Sequence, residues 1–186
     1  MCGRLNVIDD PLSRIVCEKL GIHFRAETNT DLRPTQPVST VGMKNGQLMQ
    51  LDLPWGIKPE WAKRIIINAQ AETVSVKPTF AAAFENHRVI VPCSGWYEWS
   101  DEHGEKRKRL FSLGKKDVIY MAGIAVEDGT KLVTLTTKPN KQCSAYHHRM
   151  PLLIEPASVL TWLAGKPELV FKLLNYELME TLRIRS

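Results

Sequence analysis

A cysteine stands second in the chain, directly after Met1. If the initiator methionine is removed, which the small side chain at position 2 permits, Cys2 becomes the first residue. It then carries an α-amine and a thiol on adjacent carbons, a group called a 1,2-aminothiol. Both functions are nucleophiles, so Cys2 predicts chemistry that a cysteine inside the chain does not offer.

The segment IIINAQAET, at 65–73, places polar residues at alternate positions. In an extended conformation, Asn68, Gln70 and Glu72 share one face, and the small residues between them share the other. Three polar side chains in a row can line a site. An ordinary strand side that faces solvent gives the same pattern, so the pattern alone leaves both interpretations open.

The segment VPCSGWYEWS, at 91–100, carries a carboxylate among aromatic residues. Trp96 and Glu98 are predicted to share one face of a strand, with Tyr97 and Trp99 on the other. Desolvation would raise the pKa of Glu98 toward neutrality, which is the condition for acid-base catalysis. The alternative is an aromatic core with Glu98 at its edge.

Adjacent histidines occur in SAYHHRMPLLI, at 144–154. In an extended run His147 and Arg149 lie together while His148 turns aside, which places a proton shuttle beside an anion anchor. A structural or exposed histidine pair is the simpler alternative. Zinc bound by Cys143 and both histidines is the other, but their spacing matches no usual zinc site. No metal or organic cofactor is predicted.

The composition fits one globular domain over residues 1–186, because 44% of the residues are hydrophobic and 24% are charged. The net charge of +5 suits an anionic partner but does not identify one.

Four dispersed cysteines do not form a disulfide scaffold, and Cys17 and Cys93 are interpreted as core thiols. Acidic residues at 9 and 10 argue against a secretory signal, and the longest apolar run, 118–126, is too short to cross a membrane. We therefore expect a cytoplasmic protein.

Short strand-like runs separated by turns dominate the middle of the chain. Residues 9–22 have helical spacing, and Asn45-Gly46 predicts a hairpin within 36–53. This succession of short strands with few helices favours an α+β fold with a mostly antiparallel sheet or open β-barrel and peripheral helices. Further strands are predicted at 65–71, 88–92, 96–99, 107–112, 118–126 and 131–136, and helices at 138–146 and 156–164; the tail, 166–186, is left unassigned.

Six motifs occur in one order along residues 1–165: MCGR, WGIKPEWAK, NAQAET, GWYEW, TTKPN and HHRMP. Together they resemble the SOS response-associated peptidase (SRAP) family. The resemblance implies the SRAP fold and an enzyme that recognises abasic sites in single-stranded DNA. It also implies a covalent cross-link through the N-terminal cysteine, with possible autopeptidase and lyase-type activity.

The resemblance also implies roles for individual residues. Cys2 would form a thiazolidine ring with the ring-opened sugar aldehyde, which requires both its amine and its thiol. Glu98 would transfer protons near these two groups, His147 would exchange protons at the sugar oxygen, and Asn68 would position the reacting groups. The implied DNA contacts are Arg4, Thr137 and Arg149 at phosphates, Trp55 as a stacking or wedge residue, and position 70, which is Gln70 here.

Two positions depart from the family pattern. Gln70 stands where the family commonly has an arginine that contacts DNA, and Asp31 stands where it commonly has asparagine. One change removes a cation from the DNA groove and the other adds an anion near it, so we expect weaker phosphate anchoring. The nearby cations that can compensate are Lys63, Arg64 and Lys77.

Two rival functions use the same sequence features. A cysteine peptidase would use Cys2 as nucleophile, His147 as base and Glu98 or Asn68 as the orienting group, and would include the removal of its own Met1. A plain single-stranded DNA-binding module would need no covalent step. The residues alone do not separate the peptidase from the cross-linking enzyme.

Overall fold

The computed structural model of the chain describes residues 2–102, 104–114, 117–175 and 180–186. The strands are β1 (Leu5–Val7), β2 (Asn29–Leu32), β3 (Pro37–Lys44), β4 (Gln47–Pro54), β5 (Asn68–Gln70), β6 (Arg88–Cys93), β7 (Gly95–Glu102), β8 (Glu105–Ser112), β9 (Ile119–Ala125), β10 (Lys131–Thr137), β11 (Met150–Pro151) and β12 (Arg183–Arg185). The helices are α1 (Asp9–Leu20), α2 (Pro78–Asn86), α3 (Val126–Gly129), α4 (Val159–Ala164) and α5 (Pro167–Leu173), with a 3-10 turn at Pro156–Ser158.

The strands form two sheets. One has the order β12-β8-β7-β1-β2, and the other has the order β11-β10-β9-β6-β3-β4, with β5 added beside β10. Among the described strands, β5 and β10 pair in parallel and the other pairs are antiparallel. The predicted α+β class with mostly antiparallel open sheets is confirmed.

The predicted hairpin is present as β3 and β4. Asn45 and Gly46 connect them with φ angles of 52° and 74°, the left-handed values that a two-residue type I′ turn requires. The predicted N-terminal helix is also present, and the N–H of Gly21 closes it by donating to the carbonyl of Cys17. The Cys17 thiol is partly buried and hydrogen bonded to Phe24, so it serves the local structure.

The predicted helix at 138–146 is wrong, because this stretch forms a series of turns. Asn140 accounts for the difference: its side-chain oxygen accepts a hydrogen bond from the N–H of Cys143 at 3.0 Å. An Asn side chain that bonds to nearby backbone offers an alternative to helical pairing. The sequence reading also missed α2, and it did not assign α5 and β12 in the tail.

One hydrophobic core joins residues of both sheets, including Trp96 of β7 and Met121 of β9. Cys93 is fully buried in it, as expected. No helix among the described residues combines the length and the hydrophobicity that a bilayer crossing requires.

Candidate active site

Cys2 lies in the core with 1% of its surface exposed. The side-chain amide of Asn68 donates to the Cys2 carbonyl at 3.0 Å. The Asn68 side-chain oxygen in turn accepts from the Thr134 hydroxyl at 2.6 Å, across the parallel pair of β5 and β10. Because both ends of the amide are engaged, its orientation is set and it fixes the main chain at Cys2.

Glu98 projects from β7 toward the same region. Trp96 and Glu98 are buried while Tyr97 and Trp99 are partly or substantially exposed, so the predicted alternation along this strand is confirmed. Burial raises the pKa of Glu98 to about 7. At neutral pH this carboxyl therefore exchanges a proton readily, which an ordinary surface glutamate does not.

The Cys2 thiol is protonated at neutral pH. Burial, and secondly the charge of nearby Glu98, raise its pKa well above the usual value, while a backbone hydrogen bond at Arg4 acts in the opposite direction. A thiol in this state requires a base before it can attack. Glu98 is near enough to affect its titration and has a pKa suited to that task.

His147 is joined to this region through Cys143. The His147 N–H donates to the Cys143 carbonyl at 3.1 Å, and the charge of Glu98, after burial, contributes to raising the pKa of the Cys143 thiol to about 12. His147 Nδ1 lies 3.0 Å from the Arg149 N–H and 3.1 Å from the Arg149 carbonyl oxygen, so the main chain of Arg149 holds the ring in place. Burial lowers the pKa of His147, so the neutral ring predominates at neutral pH.

The adjacent histidines do not point apart as an extended strand would require. Residue 148 lies in a bend, and the rings of His147 and His148 stack with their centroids 4.3 Å apart. The expected opposite orientation is therefore wrong, because the chain is not extended at this point.

Arg149 is tied down by a carboxylate. Its two terminal nitrogens donate to the two oxygens of Glu72, each at 2.8 Å, and one of them also donates to the Thr136 carbonyl at 2.7 Å. Gln70 and Thr137 lie close by, at the ends of β5 and β10, and Gln70 is exposed. A phosphate at Arg149 would have to compete with Glu72.

Trp55 does not occupy the position expected of a DNA contact. It is fully buried, and its indole N–H donates to the Ile67 carbonyl at 3.1 Å. It cannot stack on a base from there, so this expectation is corrected. Trp61, in the same WGIKPEWAK motif, is 69% exposed. Its charged neighbours were the signal that it lies at the surface.

Arg4 and the exposed cations near the motifs have different surroundings. The Arg4 guanidinium donates to Asp31 at 2.7 Å, so the extra carboxylate neutralises one of the expected phosphate contacts. The side chains of Lys63, Arg64 and Lys77 are exposed to solvent. Asp31 thus lies beside Arg4, and the expected weakening of phosphate anchoring stays a prediction.

The zinc interpretation gains no support. In the part of the chain that the structure describes, three or more His, Cys, Asp or Glu side chains do not gather into a metal-binding group.

The family model for "SOS response associated peptidase (SRAP)" matches residues 1–185, so the chain belongs to the SRAP family. It is 30% identical to abasic site processing protein YoqW of Bacillus subtilis strain 168, over 89% of this chain and 81% of that protein. It is 26% identical to abasic site processing protein YedK of Escherichia coli strain K12, over 59% of this chain and 52% of that protein. A phage-related protein of Bordetella bronchiseptica has a similar fold, with a TM-score of 0.80, 21% identity and coverage of 99% and 93% of the two chains.

Proposed function

We propose that this protein recognises abasic sites in single-stranded DNA and cross-links to them through Cys2 once Met1 has been removed. The names of its relatives support the substrate, since YoqW and YoaM are abasic site processing proteins. The observation that carries the chemistry is the arrangement at Cys2: Asn68 holds its carbonyl, and Glu98, with a pKa of about 7, lies beside its thiol.

The reaction proceeds in two bond-forming steps. The α-amine of Cys2 attacks the aldehyde carbon of the ring-opened sugar, and loss of one water gives an imine. The Cys2 sulfur then adds to the imine carbon, and the thiol proton passes to the nitrogen. The product is a thiazolidine, and one water is released overall.

Glu98 serves both steps. As a carboxylate it accepts a proton from the ammonium form of the amine, and it returns that proton to the departing hydroxyl as water forms. It then accepts the thiol proton, which the sulfur must lose to attack. A carboxyl with a pKa of about 7 can perform both transfers at neutral pH.

Asn68 and His147 act on either side of this exchange. Asn68 restrains the main chain of Cys2, so the amine and thiol keep one orientation toward the aldehyde. His147 is neutral at neutral pH, which suits a ring that exchanges a proton with the sugar oxygen during ring opening. Thr137 and Arg149 are assigned to backbone phosphates, and exposed Trp61 to base stacking.

The thiol's surroundings favour this reaction over the peptidase alternative. Cysteine nucleophiles of peptidases have lowered pKa values, whereas burial raises that of Cys2. In the cross-linking reaction the amine attacks first, so a protonated thiol is no obstacle until the imine has formed. The peptidase alternative would require a thiolate at the start.

Intact mass spectrometry tests the proposal. After incubation with an oligonucleotide that carries one abasic site, the wild-type protein should gain the oligonucleotide mass less one water, on the peptide that begins at Cys2. The Cys2→Ser variant retains the amine, so it should yield only an imine that borohydride traps. The matched Cys17→Ser variant should form the stable adduct. A protein without Met1 that forms no adduct would overturn the proposal and favour the peptidase.

A further inference from the structure

Asp31 is the centre of a cluster that the proposed chemistry does not use. Its Oδ1 accepts from Arg4 Nη1 at 2.7 Å and from Lys108 Nζ at 2.6 Å. Its Oδ2 accepts from Arg33 through Nη2 at 2.7 Å and Nε at 3.0 Å. One carboxylate thus receives hydrogen bonds from three cations, and we call these four residues the Asp31 cluster.

The cluster is built by long-range strand pairing. Asp31 lies in β2 and Lys108 in β8, 77 residues apart in sequence, and Arg4 immediately precedes β1. The sheet order β8-β7-β1-β2 brings these elements side by side. The Asp31 side chain is 36% exposed and that of Arg33 is 62% exposed, so solvent and solutes reach the cluster.

Aromatic rings complete the same surface. Lys108 Nζ lies 4.0 Å from the ring centroid of Tyr97, and the Arg4 guanidinium carbon lies 5.4 Å from that of Trp99. Tyr97 and Trp99 project from the face of β7 opposite to Glu98. Cations combined with exposed aromatic rings are the usual components of a single-stranded nucleic acid surface.

We infer that the Asp31 carboxylate occupies a phosphate-binding site formed by Arg4, Arg33 and Lys108, and that a backbone phosphate of single-stranded DNA displaces it on binding. This inference rests on the proposed function for its ligand. It adds Arg33 and Lys108 to the DNA contacts and makes Asp31 an internal competitor for them.

The chemistry of the cluster fits a phosphate. Guanidinium and ammonium donors that converge on carboxylate oxygens suit phosphate oxygens equally well. The three cations exceed the one carboxylate by two positive charges, so the cluster attracts anions even while Asp31 is in place. Arg4 is two residues from Cys2, a distance of at most about 7 Å along the chain. The site is therefore within reach of phosphates next to a lesion held at Cys2.

Equilibrium binding of an undamaged oligothymidylate tests this inference, because no cross-link can form with it. Asp31→Asn should lower the Kd about tenfold. This is the effect of one hydrogen bond to a charged group for which the Asp31 carboxylate no longer competes. In the Lys108→Gln background, Asp31→Asn should lower the Kd by less than about threefold, because fewer donors are available to the phosphate. Asp52→Asn is the matched control, because it removes the same charge from a carboxylate bonded to Ser39 and Gln50.

Two results would overturn the inference. If Asp31→Asn and Asp52→Asn tighten binding equally, the gain comes from overall charge. If Lys108→Gln does not reduce the gain, Asp31 repels DNA from a distance and does not compete for these donors. Neither result bears on the abasic-site adduct, so the proposed function stands or falls separately.

A measurement on the wild-type protein makes the test independent of folding in the variants. The ¹³C resonance of the Asp31 carboxyl should shift when the oligothymidylate is added, since the carboxylate loses three cationic partners. The Asp52 resonance should stay in place. An Asp31 resonance that does not move at saturation would overturn the displacement.

Discussion

Glu98 and Asp31 are carboxylates of the same five-stranded sheet, and their surroundings are opposite. Glu98 faces the core, where burial raises its pKa to about 7. Asp31 faces solvent, where hydrogen bonds from Lys108, Arg33 and Arg4 hold its pKa well below its usual range. One group is poised to exchange protons and the other to hold cations. The face of the sheet, more than the residue type, decides what each carboxylate can do.

The strongest test of this contrast is Glu98→Gln, which keeps the shape of the side chain and removes its proton exchange. We expect the cross-linking rate at saturating abasic DNA to fall about a hundredfold, a typical value for the loss of an acid-base group. In wild type the rate should rise with pH through about 7 as Glu98 ionises, and the variant should lose this step. Time-resolved gel analysis between pH 5.5 and 8.5 measures both.

The exposed residue Glu85 supplies the control, and Glu85→Gln should behave as wild type. A Glu98→Gln variant that keeps the pH step near 7 would assign that step to another group. Glu98 and Asp31 would then differ in their surroundings but not in their roles in proton exchange.

Asn68→Ala should have the next largest effect, because it removes the donor that holds the Cys2 carbonyl. We expect cross-linking to slow about tenfold, the loss that corresponds to one oriented hydrogen bond. Binding of undamaged DNA should hardly change. The comparison variant is Asn86→Ala, because the Asn86 side chain donates to the Ala82 carbonyl of its own helix. Equal losses of rate and of DNA affinity would show that Asn68 acts on binding and not on Cys2.

Gln70→Arg tests the part of the candidate site at the ends of β5 and β10, because it adds a cation near Arg149. The Kd for single-stranded DNA should fall about threefold, and the slope of log K against log salt should steepen by about 0.7 for one added phosphate contact. Gln47→Arg places the same charge in the exposed β3-β4 hairpin and should leave the slope unchanged. An unchanged slope for Gln70→Arg would mean that position 70 does not touch phosphate.

The gain in DNA affinity from Gln70→Arg should add to the gain from Asp31→Asn if the two positions contact different phosphates, because the effects of independent sites are additive. A double variant no tighter than either single variant would mean that both act on one phosphate.

The last expected effect is on stability. Because the folded pKa of Glu98 is raised, its contribution is fully present below about pH 4.5 and is lost as pH rises through about 7. The melting temperature of Glu98→Gln relative to wild type should therefore increase by about 5–10 °C from pH 5 to pH 8.

The pKa shift of Asp31 has the opposite sign to that of Glu98. Its folded pKa is lowered, so its contribution is present above the unfolded value and is lost only in acid. The melting temperature of Asp31→Asn relative to wild type should stay constant from pH 5 to pH 8. Scanning calorimetry of both variants measures the difference, and parallel pH dependences would contradict the assigned surroundings.

Local signals predicted much of this fold. The Asn45-Gly46 turn needs only its own left-handed backbone, and Gly21 needs only the end of its helix, so both were visible in the sequence. The alternation in β7 correctly placed Glu98 inward and Trp99 outward. Each of these features depends on residues close together in the chain.

Features that depend on distant partners could not be predicted. Trp55 and Trp61 belong to one motif, and the burial of Trp55 and its bond to the distant Ile67 carbonyl arise only in the folded chain. Asp31 was identified as an added anion, but nothing in the sequence connected it to Lys108. The failed helix at 138–146 reflects competition from the Asn140 side chain, which periodicity does not register.

The hydrogen bond between Asn68 and Cys2 spans 66 positions and has a consequence for biosynthesis. A ribosome makes Cys2 almost first, whereas Asn68 follows after more than a third of the 186 residues and Glu98 after about half of them. A nascent chain therefore exposes its aminothiol without the groups that orient it and move its protons. Reactivity toward aldehydes of metabolism should stay low during synthesis and increase only when the sheets have closed around the amino terminus.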